Sequence, residues 1–74
     1  MTLDKGKKGM TVKILHIPDE LIRSQIIRFG ITEGAVIKCE EVVPAGPIIV
    51  SRNLQEIAIG RSLARQIKVE QISA

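Results

Sequence analysis

The chain contains no Trp and no Tyr, and Phe29 is its only aromatic residue. Proteins that bind single-stranded nucleic acid stack bases on exposed rings, so that mode of recognition has almost nothing to work with here. Cys39 is the only cysteine, which excludes an intramolecular disulfide framework. His16 is the only histidine, and no Cys or His pair stands at the short spacing of soft metal sites. Glu40 and Glu41 are adjacent, so on a strand their carboxylates point to opposite faces and cannot share an ion. Neither the P-loop spacing nor GxGxxG occurs. Residues 42–51 form the longest uncharged stretch, ten residues broken by Pro44, Gly46 and Pro47. A membrane span needs about 20 apolar residues. No apolar run or cleavage site follows the basic start, so a cytoplasmic location is the expectation.

What is present is aliphatic: thirteen Ile, six Val and five Leu among 74 residues. A chain of this length builds one core rather than two, so a single domain over 1–74 is expected. With 45% hydrophobic and 26% charged residues, the composition is that of an ordinary folded domain and not of a disordered segment. The net charge of +3 is concentrated at one end. Lys5, Lys7, Lys8 and Lys13 stand against Asp4 in the first thirteen residues, whereas residues 14–74 carry seven bases and seven acids. A duplex-binding face needs several phosphate contacts from one surface, and the balanced body does not offer them.

Along the chain, Gly6-Lys7-Lys8-Gly9 reads as a turn. The same letters match the GxxG backbone clamp of KH domains, but here they lead into a strand, residues 11–17, rather than a helix. Pro18 ends that strand, and Asp19 stands where a helix N-cap belongs. Ile22, Ile26 and Phe29 fall at i, i+4 and i+7, the apolar stripe of a helix of about three turns that Gly30 terminates. A turn at 31–34 feeds a second strand over 35–43. Pro44-Ala45-Gly46-Pro47 is a stiff connection, since two fixed φ angles flank a permissive glycine. Residues 48–51 resume as strand, 52–54 read as a hairpin tip with Asn53 in a left-handed position, and 55–59 return. One helical turn over 60–65 and a last strand over 66–72 close the chain. The reading is mainly β: about five short strands with one helix inserted between the first and second, arranged as a small, strongly bent barrel.

Catalysis needs a nucleophile or base beside an orienting partner, and the inventory is thin. Cys39 reads as a buried structural thiol and His16 as a surface residue at a strand end. No catalytic residue, cofactor or metal ligand is assigned, and a binding module is the expected class. The candidate contact surface is the stiff segment carrying Pro44, Pro47, Ile48 and Ile49, because a rigid loop loses little entropy on docking. Arg23, Arg28, Arg61 and Arg65 are the candidate cationic rim for an acidic partner.

The order and spacing of several fragments resemble the FeoA family. They are Leu3 with Gly6 and Gly9 before Val12 and Ile14, then Arg28-Phe29-Gly30-Ile31-Thr32-Glu33-Gly34, and then Pro44-Ala45-Gly46-Pro47. Ile57-Ala58-Ile59 and Ala64 with Ile67 and Val69 follow. Two positions depart from the family pattern. Gly46 is followed directly by Pro47, where the family commonly inserts an acidic residue, and Gly60 stands where it commonly has Arg, with Arg61 one position later. The resemblance implies an SH3-like barrel and a non-enzymatic accessory of bacterial ferrous iron uptake. It further implies binding to the cytoplasmic part of FeoB, the membrane iron transporter, and hence a peripheral place at the inner face of the membrane. Two alternatives accompany it: an SH3-like regulatory domain like the carboxy-terminal domain of DtxR-type metal-dependent repressors, and a small RNA-binding barrel using the Lys5 to Lys13 cluster.

Overall fold

The computed structural model describes residues 1–73. Its β-branched first run forms β1 (Thr11–His16), with Val12 and Ile14 wholly buried and Lys13 and Leu15 outside. Asp19 caps the helix α1 (Glu20–Ile26): its carboxylate accepts from the Leu21 N–H at 2.9 Å and the Ile22 N–H at 3.4 Å. The helix is shorter than the apolar stripe predicts. After Ile26 the chain tightens into a 3₁₀ turn (Ile27–Phe29) that ends on Gly30 at φ +79°. The Gly30 N–H closes on the Ile27 carbonyl, and the Ile31 N–H reaches back to that of Ile26, so the last carbonyls of the helix are satisfied locally. The stripe still faces the core, with Ile26 buried and Ile22 and Phe29 half-buried against it.

The remaining elements are β2 (Val36–Val42), β3 (Ile48–Arg52), β4 (Gln55–Ile59), a single helical turn α2 (Arg61–Ala64) and β5 (Lys68–Ser73). The β3–β4 hairpin turns on Asn53 and Leu54, at φ +51° and +66°. Asn53 takes the left-handed position expected of it, and Leu54 takes one as well.

All five strands lie in one antiparallel sheet in the order β4-β3-β2-β1-β5. The closed barrel expected from sequence is corrected at one point: among the described residues no ladder joins β4 to β5, so the sheet is open. Register shifts in the β1–β5 and β2–β3 ladders accompany its bending. The outer side of β5 is lined by the first three residues. The Val69 N–H donates to the Met1 carbonyl at 2.8 Å, the Leu3 N–H donates to the Ile67 carbonyl at 2.9 Å, and Thr2 bridges to Lys68. The chain then makes a 3₁₀ turn (Leu3–Lys5) that packs against α2. The core is aliphatic apart from Cys39, with Leu3, Ile14, Ile37, Ile48, Ile59 and Ile67 each at 2% exposure or less.

Gly6 sits inside this arrangement. A Cβ there would stand 3.0 Å from the Cys39 sulfur and 3.1 Å from the Leu3 carbonyl oxygen. The first segment thus packs on β2 only because residue 6 has no side chain. Gly6→Ala is expected to destabilise the protein by about 1–3 kcal/mol through overpacking, measured as a lower midpoint in urea unfolding. An unchanged midpoint would mean that the segment can shift at no cost.

Candidate partner-binding site

The β2–β3 connection is held from inside. The Gly46 N–H donates to the Val43 carbonyl at 2.8 Å, and the Val43 N–H donates to the Pro47 carbonyl at 3.1 Å, closing residues 43–47 on themselves. Ala45 adopts φ +56°. Pro44 and Ala45 are exposed, Pro47 and Ile49 are half-buried, and Ile48 is at 0% exposure. Ile48 is therefore corrected from contact residue to core residue, because a side chain with no solvent-accessible surface presents nothing to a partner.

Arg61 completes the loop. From the first position of α2, its Nε donates to the Gly46 carbonyl at 3.0 Å and one terminal nitrogen donates to the Val43 carbonyl at 2.6 Å. The other terminal nitrogen donates to the Asp4 carbonyl at 2.9 Å. The side chain thus ties the loop to the first 3₁₀ turn and is spent inside the protein, whereas Arg65, one turn on, is exposed. The sequence places these two arginines as a pair at i and i+4. In the structure the first is a clamp and the second is free to face outward.

Arg23 and Arg28 belong to a different cluster and make none of their hydrogen bonds with the loop. One Arg23 terminal nitrogen donates to the Ile17 carbonyl at 2.5 Å and approaches a Glu33 carboxylate oxygen at 3.5 Å. The Arg28 Nε donates to the Gln25 carbonyl at 3.2 Å, and its guanidinium lies 5.5 Å from the Phe29 ring centroid. The sole aromatic is thus half-buried and covered by an arginine.

Glu33 organises this cluster and was not singled out from sequence, since its partners lie on other elements. The same oxygen accepts the Ile17 N–H at 3.1 Å and stands 3.0 Å from His16 Nδ1. The Ile17 N–H, then the His16 and Arg23 side chains, hold its carboxyl below the ordinary value of 4.5 against an opposing desolvation effect. Cys39 lies in the core beside Gly6, and burial followed by the Glu40 charge pushes its thiol up, which keeps it protonated. His16 is exposed and turned to Glu33, so the two residues do not form a nucleophile–base pair. Lys8, from the basic first segment, pairs with Glu41 at 3.2 Å. Among the described residues no group of three His, Cys, Asp or Glu side chains converges on a point that could hold a metal ion. No helix among them is long and apolar enough to cross a membrane.

A family model for the FeoA domain matches residues 1–71. The chain belongs to the FeoA family. Its structure is similar to the crystal structure of an iron uptake regulatory protein (FeoA), with a TM-score of 0.87 and 30% identity over 97% of each chain. The FeoA protein of Chlorobium tepidum is similar at a TM-score of 0.86 and 25% identity, over 99% of this chain and 71% of that one. A FeoA-like protein of Clostridium acetobutylicum gives 0.81 and 25%, over 100% and 88%. No curated protein matches. The SH3-like fold implied by the resemblance agrees with these structures, with the sheet left open as described.

The Glu33 cluster predicts a pH dependence. A carboxylate whose folded pKa lies below its unfolded value stabilises the protein above the unfolded pKa, and the contribution is lost as pH falls through the folded one. Glu33→Gln is expected to melt below the native FeoA chain at pH 7, with the gap in Tm narrowing as the pH is lowered from about 5 to 3. A gap independent of pH would remove the charge of Glu33 from the account.

Proposed function

We propose that this FeoA chain is a non-enzymatic accessory of bacterial ferrous iron transport, and that it acts by docking the loop of residues 43–47 on the cytoplasmic part of FeoB. Family membership and the similarity to a protein described as an iron uptake regulatory protein support the transport setting. The observation that carries the docking site is the rigidity of the loop. Two prolines, two internal backbone hydrogen bonds and the Arg61 clamp fix its shape before any partner arrives. A surface so fixed loses little conformational entropy on binding, so modest apolar contact yields useful affinity.

In this reading the contact residues are Pro44, Pro47 and the half-buried Ile49, with exposed Val43 beside them and Arg65 as the outward cation. Arg61 acts through the loop it holds. Arg23 and Arg28 are the cationic rim of a second face. Under this proposal the protein resides in the cytoplasm, at the membrane only through its partner.

The test is a titration of isotope-labelled protein with the soluble cytoplasmic domain of FeoB from the same organism, followed by NMR with and without guanine nucleotide. The expected result is shifts concentrated at residues 43–49 and Arg65, with affinity reduced about tenfold or more in Pro44→Glu, because an interface centre tolerates a buried charge poorly. Shifts confined to the Arg23–Glu33 cluster, or no shifts at all, would overturn the loop as the docking site.

A further inference from the structure

β4 is an outermost strand of the sheet, and its one neighbour is β3. The turn between them has both residues in the left-handed region, the geometry in which the flanking pair, Arg52 and Gln55, exchanges both backbone hydrogen bonds. Alternation along the register makes Val50 with Ile57, and Ile48 with Ile59, the next bonded pairs. The N–H and C=O groups of Glu56 and Ala58 therefore point away from β3. No backbone group among the described residues satisfies them.

Free edges of this kind are ordinarily guarded by lysine, proline or a bulge, because they pair readily with another strand. At the other end of the sheet the first three residues cover the start of β5, at Lys68 and Val69, and the β1–β5 ladder is irregular. β4 is short and carries one charge, Glu56, but none of those three devices. Its five residues contain no Lys and no Pro, and its ladder with β3 has no register shift.

We propose that β4 pairs with β4 of a second copy of this chain, antiparallel about a two-fold axis at Ile57. Charge favours this register over one centred on Glu56. Glu56 then exchanges hydrogen bonds with Ala58 of the second copy and Ala58 with its Glu56, using all four outward groups of each strand. Each carboxylate faces a methyl group, whereas an axis at Glu56 would set two carboxylates opposite each other, which is destabilising. Half-buried Ile57 meets its own copy and extends the apolar inner face of the sheet. The interface is isologous and closed, so it uses up both free edges and does not propagate into fibres.

Disulfide trapping in the full chain tests the register. At a non-hydrogen-bonded antiparallel pair the Cα atoms lie about 4.5 Å apart, within disulfide range, so Ile57→Cys is expected to form a covalent dimer under mild oxidation. Glu56→Cys moves the thiols off the axis and to the opposite face, and its cross-linking is expected to be slower by about tenfold or more. Buried Cys39 is present in both and supplies the common background. In sedimentation velocity the native chain is expected to gain mass with concentration, and Ala58→Pro, which removes an outward donor, is expected to remain monomeric. If that variant fails to fold, the ratio of the two cross-linking rates decides. Equal rates, or a native chain that stays monomeric up to about 1 mM, would overturn the proposal. Protection of the Glu56 and Ala58 amides from exchange only when the FeoB domain is added would also overturn it, and would assign the edge to the transporter.

Discussion

Three backbone carbonyls that lie far apart in the chain share one guanidinium. Asp4, Val43 and Gly46 are 57, 18 and 15 residues from Arg61, yet its side chain accommodates all three. The arrangement answers a specific shortfall. The Asp4 and Gly46 carbonyls lie outside the strand ladders and meet no other turn or loop donor among the described residues, whereas the Val43 carbonyl also accepts the Gly46 N–H. A planar fork of five N–H groups can meet several carbonyls at once where an ammonium cannot hold that geometry. Arg61 joins the first 3₁₀ turn to the β2–β3 loop by hydrogen bonds.

Function follows from that constraint. The loop of residues 43–47 is preorganised because it is bonded both to itself and to Arg61, and a preorganised loop is suited to recognition. The two arginine-bearing regions of the protein differ accordingly. Around the loop the charge is turned inward, leaving prolines and aliphatics outside, whereas the Arg23, His16 and Glu33 cluster ties α1 to the end of β1. The FeoA family setting in iron transport and the stiff uncharged loop are compatible with one another.

Much of this was legible in the sequence, and the failures have a common cause. Asp19 marked the start of the helix and Gly30 the left-handed stop of the 3₁₀ turn that follows it, because capping and left-handed termini are local events. The β3–β4 hairpin was readable from Asn53 for the same reason. Alternation in β3 showed that Ile48 and Ile49 face opposite ways, but it could not say which faces the core, and the inner one proved to be Ile48. The roles of Arg61 and Glu33 were not visible, since the partners that define them lie 10 to 57 residues away. The barrel was overextended on the same ground: strand number is written locally, whereas closure depends on whether β4 and β5 meet. The tightening of α1 after Ile26 depends on the chain reaching Ile31, which is buried, so its end was set by packing and not by propensity.

The measurement that bears most directly on the clamp is amide hydrogen exchange in Arg61→Ala. If Arg61 holds the first 3₁₀ turn and the β2–β3 loop together, the amides of Leu3, Val43 and Gly46 lose protection by about tenfold or more, while those of Ile14 and Cys39 in the centre of the sheet keep theirs relative to global stability. Unchanged protection at Leu3, Val43 and Gly46, or a loss shared equally by every amide, would contradict the account.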